Sequence, residues 1–310
     1  MSDAAIRTRD LGRAFGELWA VRGLDLEVQR GEIFGLVGPD GAGKTTAMRM
    51  LTGILAASEG EAEVAGFSIR GGEEDIKQRI SYMSQRFGLY GDLSVEENLR
   101  FYADLYEVPR REREPLEERL LGFSNLTPFR KRLARNLSGG MKQKLGLACA
   151  LIHKPEILFL DEPTNGVDPV SRRDFWRILY AMLKEGVTIF VSTAYLDEAE
   201  RCSRVGLMHR GRLIQCDTPQ QLKLGIGGQL LELEIERPRV AREALATEFG
   251  GQRVSLFGGT LHVHADDDAD AEVALRILAQ AGFAVHSKKL ITPSLEDAFI
   301  RYVGEDEAHG

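Results

Sequence analysis

The chain has 310 residues, of which 43% are hydrophobic and 28% charged, and its formal net charge is −7. This composition is ordinary for one large or two average globular domains. A net acidic chain is a poor candidate for general nucleic-acid binding, which needs a clustered basic surface, and we interpret the basic run Arg130–Arg135 as a solvated helix face. The sequence contains no stretch that approaches the roughly 18 apolar residues of a membrane span. It also shows no apolar signal core near its first residue, so we expect a cytoplasmic protein.

Strand and helix patterns alternate over about the first 220 residues. The apolar runs at residues 31–38, 156–163 and 187–193 are short and continuous. Such runs are typical of parallel strands that are buried on both faces and carry functional residues at their carboxyl ends. Residues 44–55 continue the first run as a helix. We therefore predict an α/β fold with a mostly parallel sheet as its core.

The region from about residue 86 to residue 153 is predicted to be mainly helical. Ser94 and Glu97 have the spacing of a capping box, and apolar residues follow them at helical intervals. Residues 109–121 are highly charged, which favours an exposed helix over a ligand site.

The succession of strand and helix patterns changes after the glycine-containing segment Leu222–Gln229. Beyond it, the patterns indicate a strand, a helix, a hairpin that turns at Gly258 and Gly259, a second helix, a strand and a last helix. We predict a small α+β domain over residues 226–310 that holds no catalytic residues. Its acidic cluster, Asp266–Asp270, is interpreted as a solvated helix start rather than a metal site.

A phosphate-binding motif stands between the first predicted strand and its helix. Residues Gly38–Thr45, GPDGAGKT, match the pattern G-x-x-x-x-G-K-[ST]. In this motif the backbone amides and the helix N-terminus bind phosphate, Lys44 reaches the β- and γ-phosphates, and the Thr45 hydroxyl is a ligand of Mg²⁺. The nucleotide-binding residues predicted in this segment are Gly38, Pro39, Asp40, Gly41, Ala42, Gly43, Lys44, Thr45 and Thr46.

Two adjacent carboxylates, Asp161 and Glu162, end the predicted strand at residues 156–163. Asp161 is suited to hold Mg²⁺ through water, and Glu162 is suited to polarise the water that attacks the γ-phosphate. An apolar run followed by Asp-Glu is common by itself. Its combination with the phosphate loop is what indicates nucleotide hydrolysis.

Two further segments would be ordinary if they stood alone. Gln85 would be a polar strand end, and Ser138–Gly140 would be a helix N-cap with flexible neighbours. The four segments, however, occur in the order GPDGAGKT, SYMSQRFGLY, LSGGMKQ and ILFLDEPTNGVDP. With this order, residues 5 to about 220 closely resemble the ATPase subunit of an ABC (ATP-binding cassette) transporter.

This resemblance implies the domain organisation and the kind of enzyme. It implies a phosphate-loop ATPase domain over residues 1–225, with an antiparallel β subdomain and a helical subdomain at about residues 86–153. Residues 226–310 would form an accessory or regulatory domain. ATP and Mg²⁺ are the implied cofactors.

The resemblance also assigns roles across a dimer interface. In this family two ATPase domains associate head to tail, and each ATP lies between the phosphate loop of one domain and the LSGGM signature of the other. Ser138, Gly139 and Gly140 would therefore contact the γ-phosphate of a nucleotide bound to the partner. Asp168 would couple the two sites.

Two residues would contact the nucleotide site from outside these motifs. Gln85 would touch the magnesium and sense the membrane partner, which makes it a catalytic residue together with Glu162 and a metal ligand together with Thr45 and Asp161. Phe15 matches the aromatic residue that stacks on adenine, with a plain core aromatic as the alternative.

The segments at residues 82–106 and 291–300 look like the drug-resistance and antibiotic-export branch of the family, whose permeases are of the ABC-2 type. This implies an ATPase that drives export of a drug or another small or lipid-like molecule through a separate integral-membrane permease. It would be peripheral on the inner face of the cell membrane and paired with a second ATPase, either another copy or a paralogue.

Two other classes of function fit the sequence less well. A soluble ABC ATPase that acts on ribosomes or DNA usually carries two cassettes or a coiled-coil insertion, and this sequence has neither. A phosphate-loop kinase or GTPase is not supported, because the chain lacks an N-K-x-D guanine motif and LSGGM would be left unexplained.

One position departs from the family pattern. After the third buried strand the family usually has T-H-x-x-x-E-A, in which the histidine contacts the γ-phosphate and helps to hold the catalytic glutamate; here that position is Ala194. A methyl group neither donates a hydrogen bond nor carries charge. We expect Tyr195 to begin the next helix and His209 to belong to a later strand, so neither is a clear substitute. Slow intrinsic ATPase activity is therefore predicted, with a paralogous ATPase that has an intact histidine as one candidate partner.

Overall fold

The computed structural model describes residues 4–85 and 88–309, with side chains as far as Glu307. Its contacts divide the chain into two compact units. The first consists of Met1–Tyr195 and Cys202–Leu213, and the second of Leu196–Arg201 and Ile214–Gly310. The second unit thus begins earlier in the chain than residue 226, and the predicted boundary after residue 225 stays a prediction.

The strands and helices occur in the following order along the described residues. The strands are β1 (Ala4–Phe15), β2 (Leu18–Gln29), β3 (Ile33–Val37), β4 (Glu59–Val64), β5 (Phe67–Ser68), β6 (Ile80–Met83), β7 (Ile157–Asp161), β8 (Thr188–Thr193), β9 (Arg204–His209), β10 (Arg212–Asp217), β11 (Gln229–Ile235), β12 (Val254–Phe257), β13 (Thr260–Ala265) and β14 (Val285–Ile291). The α-helices are α1 (Lys44–Leu51), α2 (Glu73–Arg79), α3 (Val95–Leu105), α4 (Arg110–Phe123), α5 (Gly139–Ala150), α6 (Pro169–Lys184), α7 (Leu196–Ala199), α8 (Pro219–Gly225), α9 (Pro238–Phe249), α10 (Asp268–Gln280) and α11 (Leu295–His309).

The core sheet has the strand order β10-β9-β3-β8-β7-β6. Strand β3 pairs in parallel with β8 and β9, and β7 pairs in parallel with β8 and β6. Every residue of β3, β7 and β8 is buried, which confirms the prediction of parallel strands covered on both faces. The carboxyl ends of these strands meet at one edge, where Val37 pairs with Thr193 and Asp161 with Ser192.

A second sheet in the first unit is antiparallel, with the order β2-β1-β4-β5. Its long strands β1 and β2 form a hairpin that turns between Phe15 and Leu18. This sheet is the antiparallel β part of the predicted fold class, and it places Phe15 at the end of a strand.

The segment between β6 and β7 is predominantly helical and contains α3, α4 and α5. The predicted capping box is confirmed, because Ser94 accepts from the amide of Glu97 while the Glu97 carboxylate accepts from the amide of Ser94. The predicted helix face at Arg130–Arg135 is wrong, since the run follows the 3-10 turn Thr127–Phe129 and ends within the 3-10 turn Ala134–Asn136. Arg130 is drawn into ion pairs with Glu96 and Glu118, at 3.0 and 2.7 Å.

The second unit holds an antiparallel sheet in the order β12-β13-β11-β14. Its buried hydrophobic cluster includes Leu231 and Leu233 of β11, Leu245 of α9 and Leu278 of α10. Asp267 caps α10 by accepting from the amide of Asp270, so the acidic cluster starts a helix as predicted. Among the helices that the structure describes, none is both long enough and apolar enough to cross a bilayer.

Candidate active site

The predicted phosphate loop joins β3 to α1, in the expected strand–loop–helix context. Gly41 and Gly43 adopt left-handed backbone angles, with φ of 79° and 105°. An added Cβ on Gly43 would lie 2.3 Å from the carbonyl oxygen of Ala20, and one on Gly38 would lie 2.2 Å from that of Met208. Gly38 and Gly43 are therefore required by the close approach of neighbouring backbone, whereas Gly41 is favoured by its left-handed conformation.

Lys44 lies buried at the start of α1, with 4% of its side chain exposed. Its ammonium group donates to the carbonyl oxygens of Gly38 and Pro39, at 2.8 and 3.1 Å, and lies 3.1 Å from Oε1 of Glu162. Lys44 follows β3 and Glu162 follows β7, so the neighbouring ends of these strands bring the two charged groups into contact. A buried cation of this kind is matched to a phosphate group.

Asp161 is buried at the end of β7 and accepts hydrogen bonds from three hydroxyl groups. Thr45 and Ser192 donate to Oδ1, at 3.0 and 2.8 Å, and Tyr82 donates to Oδ2 at 3.0 Å. Burial, followed by the negative charge of Asp161, raises the pKa of Tyr82 to about 12. The tyrosine therefore remains a donor at neutral pH, and the carboxylate is fixed from both sides.

Glu162 follows Asp161 in a left-handed conformation, with φ of 47°, which is strained for a residue other than glycine. Its backbone amide donates to the hydroxyl oxygen of Ser192 at 3.0 Å. Because the same hydroxyl donates to Asp161, Ser192 links the two acidic residues. The second carboxylate oxygen of Glu162 accepts from the side-chain amide of Asn165 at 3.4 Å.

A cavity of about 190 Å³ lies over this constellation. It is lined by Ala20, Asp40, Gly41, Ala42, Gly43, Lys44, Thr45, Thr46, Gln85 and Glu162. Gln85 is exposed, and it also lines a neighbouring groove of about 350 Å³. The structure therefore places Gln85 beside the phosphate loop, although it stands 41 residues from Lys44 in the sequence.

The chemistry of these residues fits a magnesium–nucleotide complex. The helix N-terminus and the left-handed glycines suit phosphate, and Lys44 supplies a positive charge. The hydroxyl of Thr45 and the carboxylate of Asp161, 3.0 Å apart, are oxygen ligands of the kind that Mg²⁺ prefers. Two carboxylates, Asp40 and Glu162, are among the residues that line the cavity, and Glu162 is the one in contact with Lys44.

Phe15 is half exposed, and the guanidinium of Arg13 lies 4.8 Å from its ring centroid. This exposure rules out the alternative of a core aromatic. An exposed ring at the end of β1 remains available for stacking on a base.

The signature residues stand at the beginning of α5 and are not among the described residues that line the phosphate-loop cavity. Ser138 caps the helix by accepting from the amide of Met141 at 3.3 Å. An added Cβ on Gly140 would lie 2.3 Å from Oγ of Ser171 and 3.5 Å from Asp168, whereas one on Gly139 would meet no atom within 4 Å. The structure therefore brings Asp168 next to the signature of the same chain.

Asp168 has a structural role of its own as the N-cap of α6. It accepts from the amides of Ser171 and Val170 at 2.9 and 3.1 Å. Backbone hydrogen bonding, above all from Ser171, holds the pKa of Asp168 below its usual value. The carboxylate is thus kept charged at the surface.

Ala194 lies on an exposed bend directly after β8. It borders a cavity of about 130 Å³ whose other lining residues are Asp40, Glu162, Thr164, Asn165, Thr193 and Tyr195. The expected helix begins one residue later than predicted, at Leu196. His209 ends β9, as expected.

Sequence reasoning missed three residues of this site, namely Tyr82, Ser192 and Asn165. The first two end up on Asp161 because β6 and β8 flank β7 in the sheet. Their signal in the sequence is only a polar residue near the end of an apolar run. Asn165 lies in the TNGVDP segment, close enough to Glu162 to have been considered.

The fold and the site together define a phosphate-loop ATPase of the ATP-binding cassette class. A profile of the ABC transporter family matches residues 21–165, and a profile of the C-terminal domain of DrrA1-3-like ATP-binding proteins matches residues 218–303. Among solved structures, cbiO1 from Clostridium perfringens, part of the ABC transporter complex cbiONQ, is similar, with a TM-score of 0.67 and 25% identity. That similarity covers 80% of this chain and 96% of cbiO1.

Two curated relatives narrow the group. The daunorubicin resistance ATP-binding protein DrrA2 of Streptomyces coeruleorubidus is 35% identical over 311 residues, which cover 98% of this chain and 96% of DrrA2. The probable multidrug ABC transporter ATP-binding protein YbhF of Escherichia coli is 43% identical over 221 residues, which cover 71% of this chain but 38% of YbhF. The chain belongs to the family of ABC transporter ATP-binding proteins, in its drug-resistance group, and is an ATPase of that class.

Proposed function

We propose that this chain is the ATP-hydrolysing subunit of an ABC-2 type exporter and works in a head-to-tail dimer of ATPases. The observation that carries the proposal is the position of the signature turn. Among the described residues, those that line the phosphate-loop cavity do not include Ser138, Gly139 or Gly140. A second glycine turn at the start of a helix, open to solvent at Gly139, is suited to the phosphate of a nucleotide that another chain binds.

The roles of the residues follow from the site. Lys44 and the loop amides would hold the phosphates, and Thr45, Asp161 and Gln85 would hold Mg²⁺, which when bound neutralises charge on the phosphate oxygens. Glu162 would orient and polarise the attacking water, and Phe15 would stack on the adenine.

ATP binding would close the dimer of ATPases, and hydrolysis with product release would reopen it. Asp168, beside Gly140, would couple the partner's nucleotide to the chain's own site. The second ATPase is either another copy of this chain or a paralogue whose switch histidine is intact.

A separate integral-membrane permease is the proposed partner, and through it the chain would be peripheral on the inner face of the cell membrane. The groove next to Gln85 supports this proposal, since it lies beside the nucleotide cavity and is lined by Gln85, Leu89, Gly91, Ala134, Arg135, Lys142 and Gln143. Two relatives of this chain are named for resistance to daunorubicin and for multidrug transport. A drug-like or lipid-like molecule is therefore the proposed cargo.

Two substitutions test the catalytic proposal. Glu162→Gln keeps the size of the side chain but removes its basicity, so we expect normal ATP binding, loss of most hydrolysis, and an ATP-dependent dimer on size exclusion. Lys44→Ala should weaken nucleotide binding itself, because the principal positive charge on the phosphates is lost. Unchanged turnover in Glu162→Gln, or unchanged affinity in Lys44→Ala, would contradict these assignments.

The exporter proposal is tested by isolating the tagged chain from its native cells. Recovery from membranes together with a hydrophobic partner is the expected result. Co-sedimentation with ribosomes, without such a partner, would favour the soluble class of ABC ATPase instead.

The boundary after residue 225 is tested by truncation. We propose that residues 226–310 form an accessory domain that affects dimer stability or regulation, because every site residue lies upstream. A folded chain of residues 1–225 should bind ATP, and a folded truncation without nucleotide binding would contradict the proposal.

A further inference from the structure

Four side chains form a chain of contacts that ends on Glu162. The guanidinium of Arg172 lies 4.5 Å from the ring centroid of Tyr195, and the Tyr195 hydroxyl donates to Oδ1 of Asn165 at 3.3 Å. The side-chain amide of Asn165 donates in turn to Oε2 of Glu162 at 3.4 Å. Catalytic hydrogen bonds are often this long before substrate binds and shorten in the complex.

Asn165 contacts Oε2 of Glu162, whereas Lys44 contacts Oε1. The backbone of Glu162 is fixed by Ser192, and its Oε1 lies 3.1 Å from Lys44. Lys44, however, must also serve phosphate in the proposed function. Among the described side-chain contacts of Glu162, the one from Asn165 has no competing role in the proposed function, and it is therefore suited to hold Glu162 throughout turnover.

Tyr195 is fixed well enough to support Asn165. Its backbone amide donates to the Thr193 hydroxyl at 3.0 Å, and its ring is covered by Arg172. Tyr195 and Asn165 both line the cavity of about 130 Å³ that Ala194 and Glu162 also border. The pair thus lies on the same side of Glu162 as the position where family members carry the histidine.

We propose that Asn165 and Tyr195 are positioning residues that hold Glu162 for catalysis in place of the histidine that this chain lacks at position 194. The Asn165 amide supplies the hydrogen bond, and the Tyr195 hydroxyl orients that amide. This inference rests on the proposed function, in which Glu162 polarises the attacking water.

The test compares Asn165→Ala and Tyr195→Phe in the full-length chain and again in the Ala194→His background. Tyr195→Phe removes one oxygen and retains the ring under Arg172, so folding is preserved. Each change should lower kcat about tenfold, as expected for one positioning hydrogen bond, with the Kd for ATP unchanged. In the Ala194→His background the loss should shrink to less than about threefold, because the imidazole then holds Glu162.

Tyr180→Phe is the matched control, because Tyr180 is as exposed as Tyr195, at 37%, and packs against Trp176 on α6. It should leave kcat unchanged. The pH profile gives an independent readout. The Ala194→His chain should acquire an ionisation near the pKa of histidine, about 6.5, that the wild-type profile lacks.

The outcomes separate this inference from the proposed function. Unchanged kcat in both variants, or equal losses in both backgrounds, would overturn the role of the pair while Glu162→Gln remains inactive. A weaker Kd for ATP with unchanged kcat would overturn it as well. If Glu162→Gln itself turns over normally, the proposed function fails and not merely this refinement.

Discussion

Ala194 lies on an exposed bend beside the carboxylate of Glu162. Loss of a catalytic positioning group typically costs on the order of 10²-fold in rate, and under our proposal the Asn165 contact would recover only part of it. We therefore expect slow turnover by the purified chain and a gain of at least about tenfold in Ala194→His. Fast wild-type hydrolysis with no gain from the histidine would contradict this prediction.

The bordering cavity explains why Ala194→His should be tolerated. Its volume is about 130 Å³, and Ala194 is exposed, so an imidazole finds room without displacing buried side chains. Thermal unfolding of the variant at the wild-type temperature is the control that separates a catalytic gain from a change in stability.

Tyr82→Phe tests the proposed magnesium site through one hydrogen bond. Tyr82→Phe deletes the donor to Oδ2 of Asp161 and leaves Thr45 and Ser192 on Oδ1. The carboxylate then loses one of its three hydroxyl donors, the one on Oδ2, so we expect the Mg²⁺ concentration for half-maximal ATPase activity to rise severalfold. ATP binding measured in EDTA should stay the same. An unchanged Mg²⁺ titration would show that Tyr82 has no part in positioning Asp161.

These residues also show what the sequence could predict. The phosphate loop is readable because its functional groups are consecutive in the chain and their spacing is fixed by one turn. The contacts of three hydroxyl groups with Asp161 could not be predicted in this way. Tyr82, Thr45 and Ser192 come from separate segments, and they meet only because the sheet order places β6, β7, β8 and β3 side by side.

At the scale of elements, the start of α5 offers a matched pair of substitutions. An added Cβ at Gly139 would meet no atom within 4 Å, whereas one at Gly140 would lie 2.3 Å from Oγ of Ser171. Gly139→Ala should therefore keep the thermal stability of the chain and lose hydrolysis, since the methyl group would face the partner's nucleotide. Gly140→Ala should lose both.

One result would contradict the proposed contact between Gly139 and the partner's nucleotide. If Gly139→Ala hydrolyses ATP at the wild-type rate, the open face of α5 does not contact a nucleotide. ATPase assays and thermal unfolding on the same preparations distinguish the two variants.

In the second unit, a buried ion pair ties β13 to the start of α11. Nδ1 of His262 lies 2.8 Å from Oδ1 of Asp297, and Nε2 lies 3.7 Å from Glu232. The hydrogen bond to Asp297 raises the pKa of His262 above its ordinary 6.5, although burial opposes it. Burial is outweighed at Asp297 too, where the hydrogen bonds from His262 and Ser294 lower the pKa.

This pair predicts how stability depends on pH. Because the folded state binds the His262 proton more tightly than the unfolded chain, the stabilisation is complete below about pH 6.5 and is lost as the pH rises through the raised pKa. Thermal unfolding should therefore show the largest advantage of the wild type over His262→Gln at pH 6, and a smaller one at pH 9. A difference that is constant with pH would mean that His262 contributes by packing alone.

The limits of prediction at this scale have a physical cause as well. The buried strands β3, β7 and β8 were predictable, because both faces are covered and their sequences are apolar except for polar residues at the ends of β7 and β8. The long strand β1 gives a weaker pattern. Register shifts between Thr8 and Leu11, and again before Arg13, break the period of two that identifies a strand.

At the scale of the whole molecule, the proposed head-to-tail dimer predicts how mixtures of two variants behave. Lys44→Ala disables the phosphate loop and leaves the signature intact, whereas Gly139→Ala does the reverse. Each variant alone should be inactive, because every site in its homodimer contains one defective half. A mixed dimer has one site with both defects and one site with none.

Mixing the two inactive variants in equal amounts should therefore restore activity. About half of the dimers are then mixed, and each mixed dimer has one intact site of two. If the two sites hydrolyse ATP independently, about a quarter of the wild-type rate is expected. The Ala194→His background supplies enough turnover to measure this fraction. A site built within one chain could not be repaired by a partner that carries the other defect. A mixture as inactive as its components would therefore exclude a site shared between two copies of this chain. Rescue would instead establish that Lys44 of one chain and Gly139 of another act on the same nucleotide.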